Sequence, residues 1–418
     1  MKCVTMSSDT EGFLYPSVDN NVCINCGLCE KICPEIHLND EREPISILAA
    51  INKNESVRLN SSSGGIFYLL AERFIKDGGV VFGARFDENW QVVIDYTDTL
   101  DAVQAFMGSK YVQARTEKAY IDAKKFLQDG RSVLFSGTPC QIAGLKHFLH
   151  KEYDNLLTVD IVCHGTPSPK VWDRYLNEVL GECGKVKELS FRNKTHGWRN
   201  FSFKLTYDEK DETLSIQSPA RENPYMKAFL KNLILRPSCY DCKFKSGKSH
   251  SDITLADFWG IWNVNSMMDD DKGTSMVFVN TNKGENMMLD LDLVSTHSDY
   301  ATARTFNPAC WKSPQPHPKR AEFFSKLETA ESLPKFIYDL TAPTLLEKSR
   351  CCLSKCKRFI IRIVMGGGRR RVADSTCPLP TYLLPMSNPK IVSILFRNKQ
   401  FGWKSYSLEI QVKDNTSI

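Results

Sequence analysis

The chain has no apolar run long enough to span a bilayer. The longest such stretch near its basic tail, FIIRIVM (359–365), falls far short of the roughly 20 residues a spanning helix needs, and Arg362 interrupts it. The first residues, MKCVTMSSDTEG, hold no apolar signal-peptide core. Neither G-x-G-x-x-G nor G-x-x-x-x-G-K-[ST] occurs, so neither a dinucleotide fingerprint nor a P-loop is indicated. Excess charge is also scarce: a net +5 over 418 residues is too mild to imply nucleic acid. A chain of this length can bury more than one core. These absences point to a cytoplasmic protein with no transmembrane segment and no nucleic-acid partner. What is plentiful is cysteine. The 15 cysteines gather in C-x2-C units without a secretory signal, which favours metal over a disulfide framework.

Four of them, Cys23, Cys26, Cys29 and Cys33, fall in the run C-x2-C-x2-C-x3-C, followed by Pro34. In two-cluster bacterial ferredoxins this spacing holds an iron–sulfur cluster, and its fourth cysteine ligates the other cluster. Zinc is the alternative, because thiolates suit both. The dense packing, with Gly27 and Pro34, favours a 4Fe-4S cluster in a ferredoxin-type head. Cys239 and Cys242 form a second C-x2-C, which alone could be half of a zinc ribbon, but no second pair follows at ribbon spacing.

The chain organises around these cysteines. Over residues 59–77 a Ser/Gly loop opens an apolar-periodic helix that stops at Gly78 and Gly79. VVFGARF and QVVIDYT read as strands joined by a short turn, and Thr116 is placed to cap a helix over 117–128. RSVLFS-GTPC-QIAGLKHFL and LLTVDIVC-HGTPSP-KVWDRYLNEVL are two strand–loop–helix units, which predict an α/β core with a largely parallel sheet. Ligands of such sheets bind outside the carboxyl ends of the strands, where Cys140 and Cys163 both fall. With Cys239 and Cys242 they make a candidate set for a second cubane cluster; the plainer alternative makes Cys140 and Cys163 small buried hydrophobes. The other cysteines, Cys3 among them, read as structural. FRNKTHGWRNFSFKL (191–205) recurs as FRNKQFGWKSYSLEI (396–410), either a duplicated ligand-contacting hairpin or a second copy of a stable one. Expected boundaries are a head over 1–40, a flavin-associated part over 55–135, a second-cluster part over 136–320, and a variable tail over 321–418. Lys348, Arg350, Lys355, Lys357, Arg358 and Arg362 in the tail read as a solvated basic face.

Ser62, Ser63, Gly64 and Gly65 precede a helix, where backbone N–H groups and the helix dipole suit an anion. Gly137, Thr138 and Pro139 occupy an equivalent strand-to-helix turn, and Lys110 could pair with a phosphate. The alternative is ordinary capping, glycine packing and a solvated lysine.

SSSGGIFYLLAE, VVFGARFDENW, MGSKYVQ, LFSGTPCQIAGLK, VDIVCHGTPSP and RPSCYDCKFK…SDITLADFWG, in this order, resemble the beta-subunit family of coenzyme F420 hydrogenase/dehydrogenase over about residues 12–320. The resemblance implies FAD beside one or two 4Fe-4S clusters in this chain, with Cys140, Cys163, Cys239 and Cys242 holding the cluster next to the flavin. It favours the flavin reading of the serine–glycine loop and of Gly137–Pro139. It also implies a first ferredoxin-type run upstream of Met1, which would leave Cys33 as the ligand whose partners are missing; within the chain as it stands, Cys33 completes the set with Cys3 as a spare. The expected function is electron transfer from a ferredoxin-like donor through the clusters to the flavin and a small-molecule acceptor. A non-catalytic subunit docking on a partner redox protein is the second reading, and a zinc-stabilised binding module the third. No catalytic acid is assigned; His164 and Asp257 are the nearest candidates.

Overall fold

The structure, a computed structural model, describes residues 3–181, 184–210, 212–342, 381–383, 391–398 and 402–409. The chain divides into two compact units, Met1–Thr341 and Ala342–Ile418. The first therefore reaches past residue 320 to include the helices Arg320–Lys326 and Leu333–Thr341. The basic tail residues between 348 and 362, and Cys183, Cys351, Cys352, Cys356 and Cys377, lie outside the described residues.

The first unit opens with a hairpin of β1 (Val4–Ser8) and β2 (Leu14–Val18). Its main sheet uses β3 (Ser46–Asn52), β4 (Val80–Phe86), β5 (Val92–Thr97), β6 (Val133–Gly137) and β7 (Leu156–Ile161). A smaller antiparallel sheet is built from β8 (Lys185–Asn193), β9 (Ser202–Glu209) and β10 (Glu212–Pro219). The main sheet is completed by β11 (Ile253–Asp257), β12 (Ser275–Val279) and β13 (Leu293–Ser298), giving the order β13-β3-β12-β11-β7-β6-β4-β5.

Its centre, β11-β7-β6-β4, is parallel, as the alternating strand and helix segments predict. These strands are covered on both faces, so they read as continuous apolar runs. The two-residue side-chain period sorts each run between two cores. Val81, Leu134 and Leu157 meet Leu69, Leu70 and Phe74 of the helix Ile66–Lys76. Val80, Phe82, Val133 and Phe135 meet Ile142, Leu145 and Leu149 of the helix Pro139–Leu149. The flanks are antiparallel. Only residues 87–91 separate β4 from β5, too few for the crossover a parallel neighbour would need. The helix expected from residue 117 begins at Ala119, and Thr116 contributes its backbone carbonyl rather than a side-chain cap.

In the second unit β14 (Thr381–Leu383), β15 (Ile391–Asn398) and β16 (Gly402–Glu409) form an antiparallel sheet. Both copies of the repeat are thus hairpins, but of different reach. Asn398 pairs with Gly402, whereas the equivalent asparagine, Asn193, pairs with Ser202 across a longer loop.

Candidate functional site

The parallel strands bring their carboxyl ends to one rim, with Gly137 opposite Asp160 and Ile161 opposite Leu255. Past β6 the chain turns into the helix Pro139–Leu149, fixed by a reciprocal capping box between Thr138 and Gln141. That places Cys140 in the helix's first turn, and Cys163 follows β7 on the adjacent strand. Cys239 lies in the short helical turn Pro237–Asp241, and Cys242 lies just beyond it. All four line one pocket with Pro139, His164 and Lys245. Every pair among the four thiols is within electrostatic reach.

Burial is the main force on Cys140, Cys163 and Cys239. It pushes Cys140 up to about 11, with Cys239 and Cys242 adding to the rise and Thr138 and Arg236 opposing it. Burial and then Cys239 raise Cys163, and burial raises Cys239. Cys140 keeps a solvent-exposed edge at the pocket mouth although protein surrounds most of it. Thiols held in this state become thiolates when a metal binds them. Donors to the sulfurs are already in place: the Thr166 N–H donates to Cys239 Sγ at 3.3 Å, and Thr138 Oγ1 lies 3.1 Å from Cys140 Sγ. Lys245 Nζ donates to the carbonyls of Cys163 and of Ala309 (2.7 Å for the latter), which fixes a positive charge beside the set. Among the described residues, no three His, Cys, Asp or Glu side chains are drawn together as for a single ion. The pocket also contains Cys310, whose thiol burial pushes up to about 12; nothing in its sequence context marks it.

The head cysteines surround a tight turn with Asn25 and Gly27 at positive φ. Cys29 sits in the short helix Leu28–Lys31, and Cys33 lies beyond it. The head is fastened to the body at two places. Arg320 forms a two-point ion pair with Glu11 (2.9 Å for Nη1 to Oε1), Phe13 is fully buried, and Arg236 stacks 4.1 Å from the centre of the Tyr15 ring. Residues 35–42 then run along 243–250, directly after Cys242. Lys243 pairs with Glu35 at 3.8 Å, Asn39 Nδ2 donates to Lys248 O at 3.0 Å, and Arg42 N donates to Ser246 O at 3.0 Å.

The serine–glycine loop is not part of the cysteine pocket. Ser62 Oγ bonds Ser109 Oγ at 2.8 Å, Ser63 Oγ donates to Thr274 O at 2.8 Å, and Gly64 N donates to Ser275 Oγ at 2.9 Å. A Cβ on Gly64 would lie 2.4 Å from Ala50 O, so this glycine exists for close packing between β3 and β12. Gly65, at φ +81°, is the N-cap of the helix Ile66–Lys76. Lys110 Nζ donates to Met107 O and Gly108 O at 2.8 and 3.2 Å. The hydroxyls of Ser62 and Ser63, the Gly64 N–H and the Lys110 ammonium are thus engaged with protein, while Gly137, Thr138 and Pro139 stand beside Cys140.

Arg192 and Lys194 of the first FRNK copy clamp this region. Arg192 makes a two-point ion pair with Asp257 at 2.8 and 3.0 Å and donates to Ser62 O at 3.3 Å. Trp198 Nε1 donates to the same carboxylate at 3.0 Å, so Asp257 is occupied as an anchor. Lys194 Nζ donates to the carbonyls of Arg58, Ser63 and Lys272. The first copy therefore binds protein. His164 faces the pocket with its Nε2 2.6 Å from Asn232 Oδ1, and burial lowers its pKa.

Residues 130–293, which include Cys140, Cys163, Cys239 and Cys242, match the family model for the carboxyl-terminal part of the coenzyme F420 hydrogenase/dehydrogenase beta subunit. This segment, well under half of the chain, is similar to that beta-subunit family. The similarity points, at a coarse level, to a redox role of the hydrogenase/dehydrogenase beta-subunit type. A chain from the F420-reducing [NiFe] hydrogenase complex of Methanosarcina barkeri is 15% identical with a TM-score of 0.41, over 81% of this chain and 100% of that one. No curated protein matches the chain. Among the described residues no helix is long and apolar enough to cross a membrane.

The buried lysines give a prediction for the stability of the first unit. Burial lowers both Lys110 and Lys194 to about 7, with Arg192 adding to the effect on Lys194. Between pH 7 and about 9 the unfolded chain therefore holds more protons on these lysines than the folded one, so stability rises with pH. Above about pH 9 the raised Cys140 works in the opposite sense in metal-free protein. The denaturation midpoint of metal-free protein should climb from pH 7 to 9, and Lys110→Met should flatten part of that climb. A profile that falls, or a slope unchanged by the substitution, contradicts it.

Proposed function

We propose that the chain is an iron–sulfur flavoprotein of the beta-subunit type that passes electrons between a ferredoxin-like carrier and a small-molecule acceptor in the cytoplasm. The observation that carries this reading is the convergence of Cys140, Cys163, Cys239 and Cys242 on one pocket at the carboxyl rim of a parallel sheet. These four thiols would hold a 4Fe-4S cluster. Thr166 N–H, Arg236 and Lys245 would steady its sulfurs and its negative charge, the kind of contact that sets a cluster's potential. The head run Cys23–Cys33 would hold another cluster, and the contact of Glu35 with Lys243 supports the two sets as successive stations. A bound FAD would supply the chemistry that links two-electron hydride transfer to single-electron carriers. Pro139 lines the cysteine pocket, and Thr138 bonds Cys140. We assign Gly137–Pro139 as the turn that meets the flavin, a better candidate than Ser62–Gly65 or Lys110.

A second reading, a subunit that hands electrons to a catalytic partner, draws support from the head surface. Val22, Ile24 and Leu28 are exposed around the cysteine run, Ile24 to 84%, and such apolar residues suit a docked redox protein. Anaerobic purification of the full chain, with iron, sulfide, zinc and flavin counts, tests both. About eight irons and one flavin per chain support the redox reading. Colourless protein with stoichiometric zinc overturns it in favour of a zinc-stabilised module. Turnover of a small molecule without an added protein separates the enzyme from the electron-transfer subunit.

A further inference from the structure

Asn232 ends the helix Pro224–Leu230 at φ +59°, in the left-handed region. Its N–H donates to Phe229 O and that of Leu233 to Ala228 O, both at 2.9 Å, the paired bonds of a Schellman helix end. Glycine serves such a backbone best, and asparagine is a side chain that tolerates it. The backbone therefore accounts for a residue at home in this conformation, but not for an amide whose two ends are both occupied. Its Nδ2 donates to Gln315 O at 2.9 Å, which leaves Oδ1 facing His164 Nε2 at 2.6 Å. Its main-chain carbonyl accepts from the Tyr240 hydroxyl at 2.6 Å and from His317 N at 3.3 Å.

These partners lie on the segments that carry and enclose the pocket thiols. His164 follows Cys163, and Tyr240 stands between Cys239 and Cys242 in sequence. The stretch 309–317 closes the ring: Ser313 Oγ accepts from Cys242 N at 3.0 Å, and Ala309 O accepts from Lys245 Nζ at 2.7 Å. Pro314, Pro316 and Pro318 have no N–H, so the chain here cannot pair as a central strand and takes its place from such single bonds. Asn232 bonds all three segments and belongs to none of them.

We propose that Asn232 is a positioning residue for the second thiol set. Its amide ties the Cys163 loop to the helix end that also holds the Cys239–Cys242 turn, and so fixes the spacing of the thiols. The same bond sets the imidazole. With Nδ2 on Gln315 O, Oδ1 is the acceptor, so His164 Nε2 carries the proton and the neutral ring keeps its lone pair on Nδ1. The assignment rests on the four-thiol reading above.

The test follows iron release to a chelator from anaerobically purified full-length wild type, Asn232→Gly and Asn232→Asp. The release phase missing from a Cys239→Ser/Cys242→Ser double variant is the pocket's, and the remainder belongs to the head. Asn232→Gly keeps the left-handed backbone and removes the amide, so its pocket phase should run about 10- to 100-fold faster with the head phase unchanged. Asn232→Asp keeps an acceptor for His164 but loses the donor to Gln315 O, and its pocket phase should fall between those of the glycine variant and wild type. A role confined to stability would lower the denaturation midpoint of Asn232→Gly and leave the pocket phase at the wild-type rate. That result overturns the proposal, as does an equal acceleration of both phases. A second measurement needs no change at Asn232: nitrogen NMR of isotope-labelled, metal-free wild type at about pH 8, where an imidazole is neutral. The His164 signal, identified by its loss in His164→Gln, should be that of the Nε2–H tautomer, and the Nδ1–H tautomer overturns the proposal. A wild type without a pocket phase overturns the four-thiol reading itself and the positioning role with it.

Discussion

Replacing Cys239 and Cys242 together with serine should remove about four irons per chain and leave those bound by the head. The two cysteines come from one short turn, and without them Cys140 and Cys163, even with Cys310 in the same pocket, are too few to hold a cubane. Serine nearly preserves their shape, so the turn Pro237–Asp241 should persist through its Tyr240 hydroxyl, which donates to Asn232 O at 2.6 Å. Iron and sulfide counts on variant and wild type decide the matter. An unchanged count would remove the second site, and loss of all iron would mean that the two sets are one cooperative structure.

Arg192→Met should be the most destabilising single change in the rim, by about 3–5 kcal/mol. Burial disfavours the guanidinium, but Asp257 more than compensates and holds Arg192 charged. Removing it leaves the largely buried Asp257 carboxylate with the Trp198 N–H as its remaining partner in this network and takes a donor from Ser62 O. Methionine fills the space between Phe201 and Trp259, so the loss reads the charge more than the volume. Adding Asp257→Asn should restore part of the stability, because the uncompensated charge is then gone. Denaturant midpoints for the two single variants and the double variant check this. A loss below about 1 kcal/mol for Arg192→Met would show that the pair is no anchor.

The parts of this architecture written in short-range pattern could be read directly from the chain. The apolar runs around Val80, Val133 and Leu156 reveal buried strands because both faces of each run are covered. The strand–loop–helix spacing then puts Cys140 and Cys163 on one rim. The antiparallel flanks of the sheet are less visible, since β3 pairs with β12 and β13 from more than two hundred residues away. The serine–glycine loop has the composition of an anion site, yet Ser62 bonds Ser109 and Gly64 bonds Ser275; composition alone cannot say which acceptor a donor finds. Arg192 and Lys194 belong to a repeated motif, so they stand out as a pattern. Their partners Asp257, Arg58 and Lys272 are distant in sequence, and only the fold identifies the motif's first copy as a clamp. Cys310, at the end of the short helical turn Pro308–Cys310, and Lys245 reach the pocket from segments that no periodicity marks.

The strap formed by residues 35–42 on 243–250 has a kinetic meaning. Both segments start within a few residues of a cysteine set, and Glu35, Asn39 and Arg42 hold the two side by side. If both sets carry electrons, the gap between them is a fixed length of protein, with no swinging arm to wait for. The internal hop would then be indifferent to solvent viscosity and to protein concentration, and the encounter with an outside carrier at the exposed head would be the step that a cell can throttle.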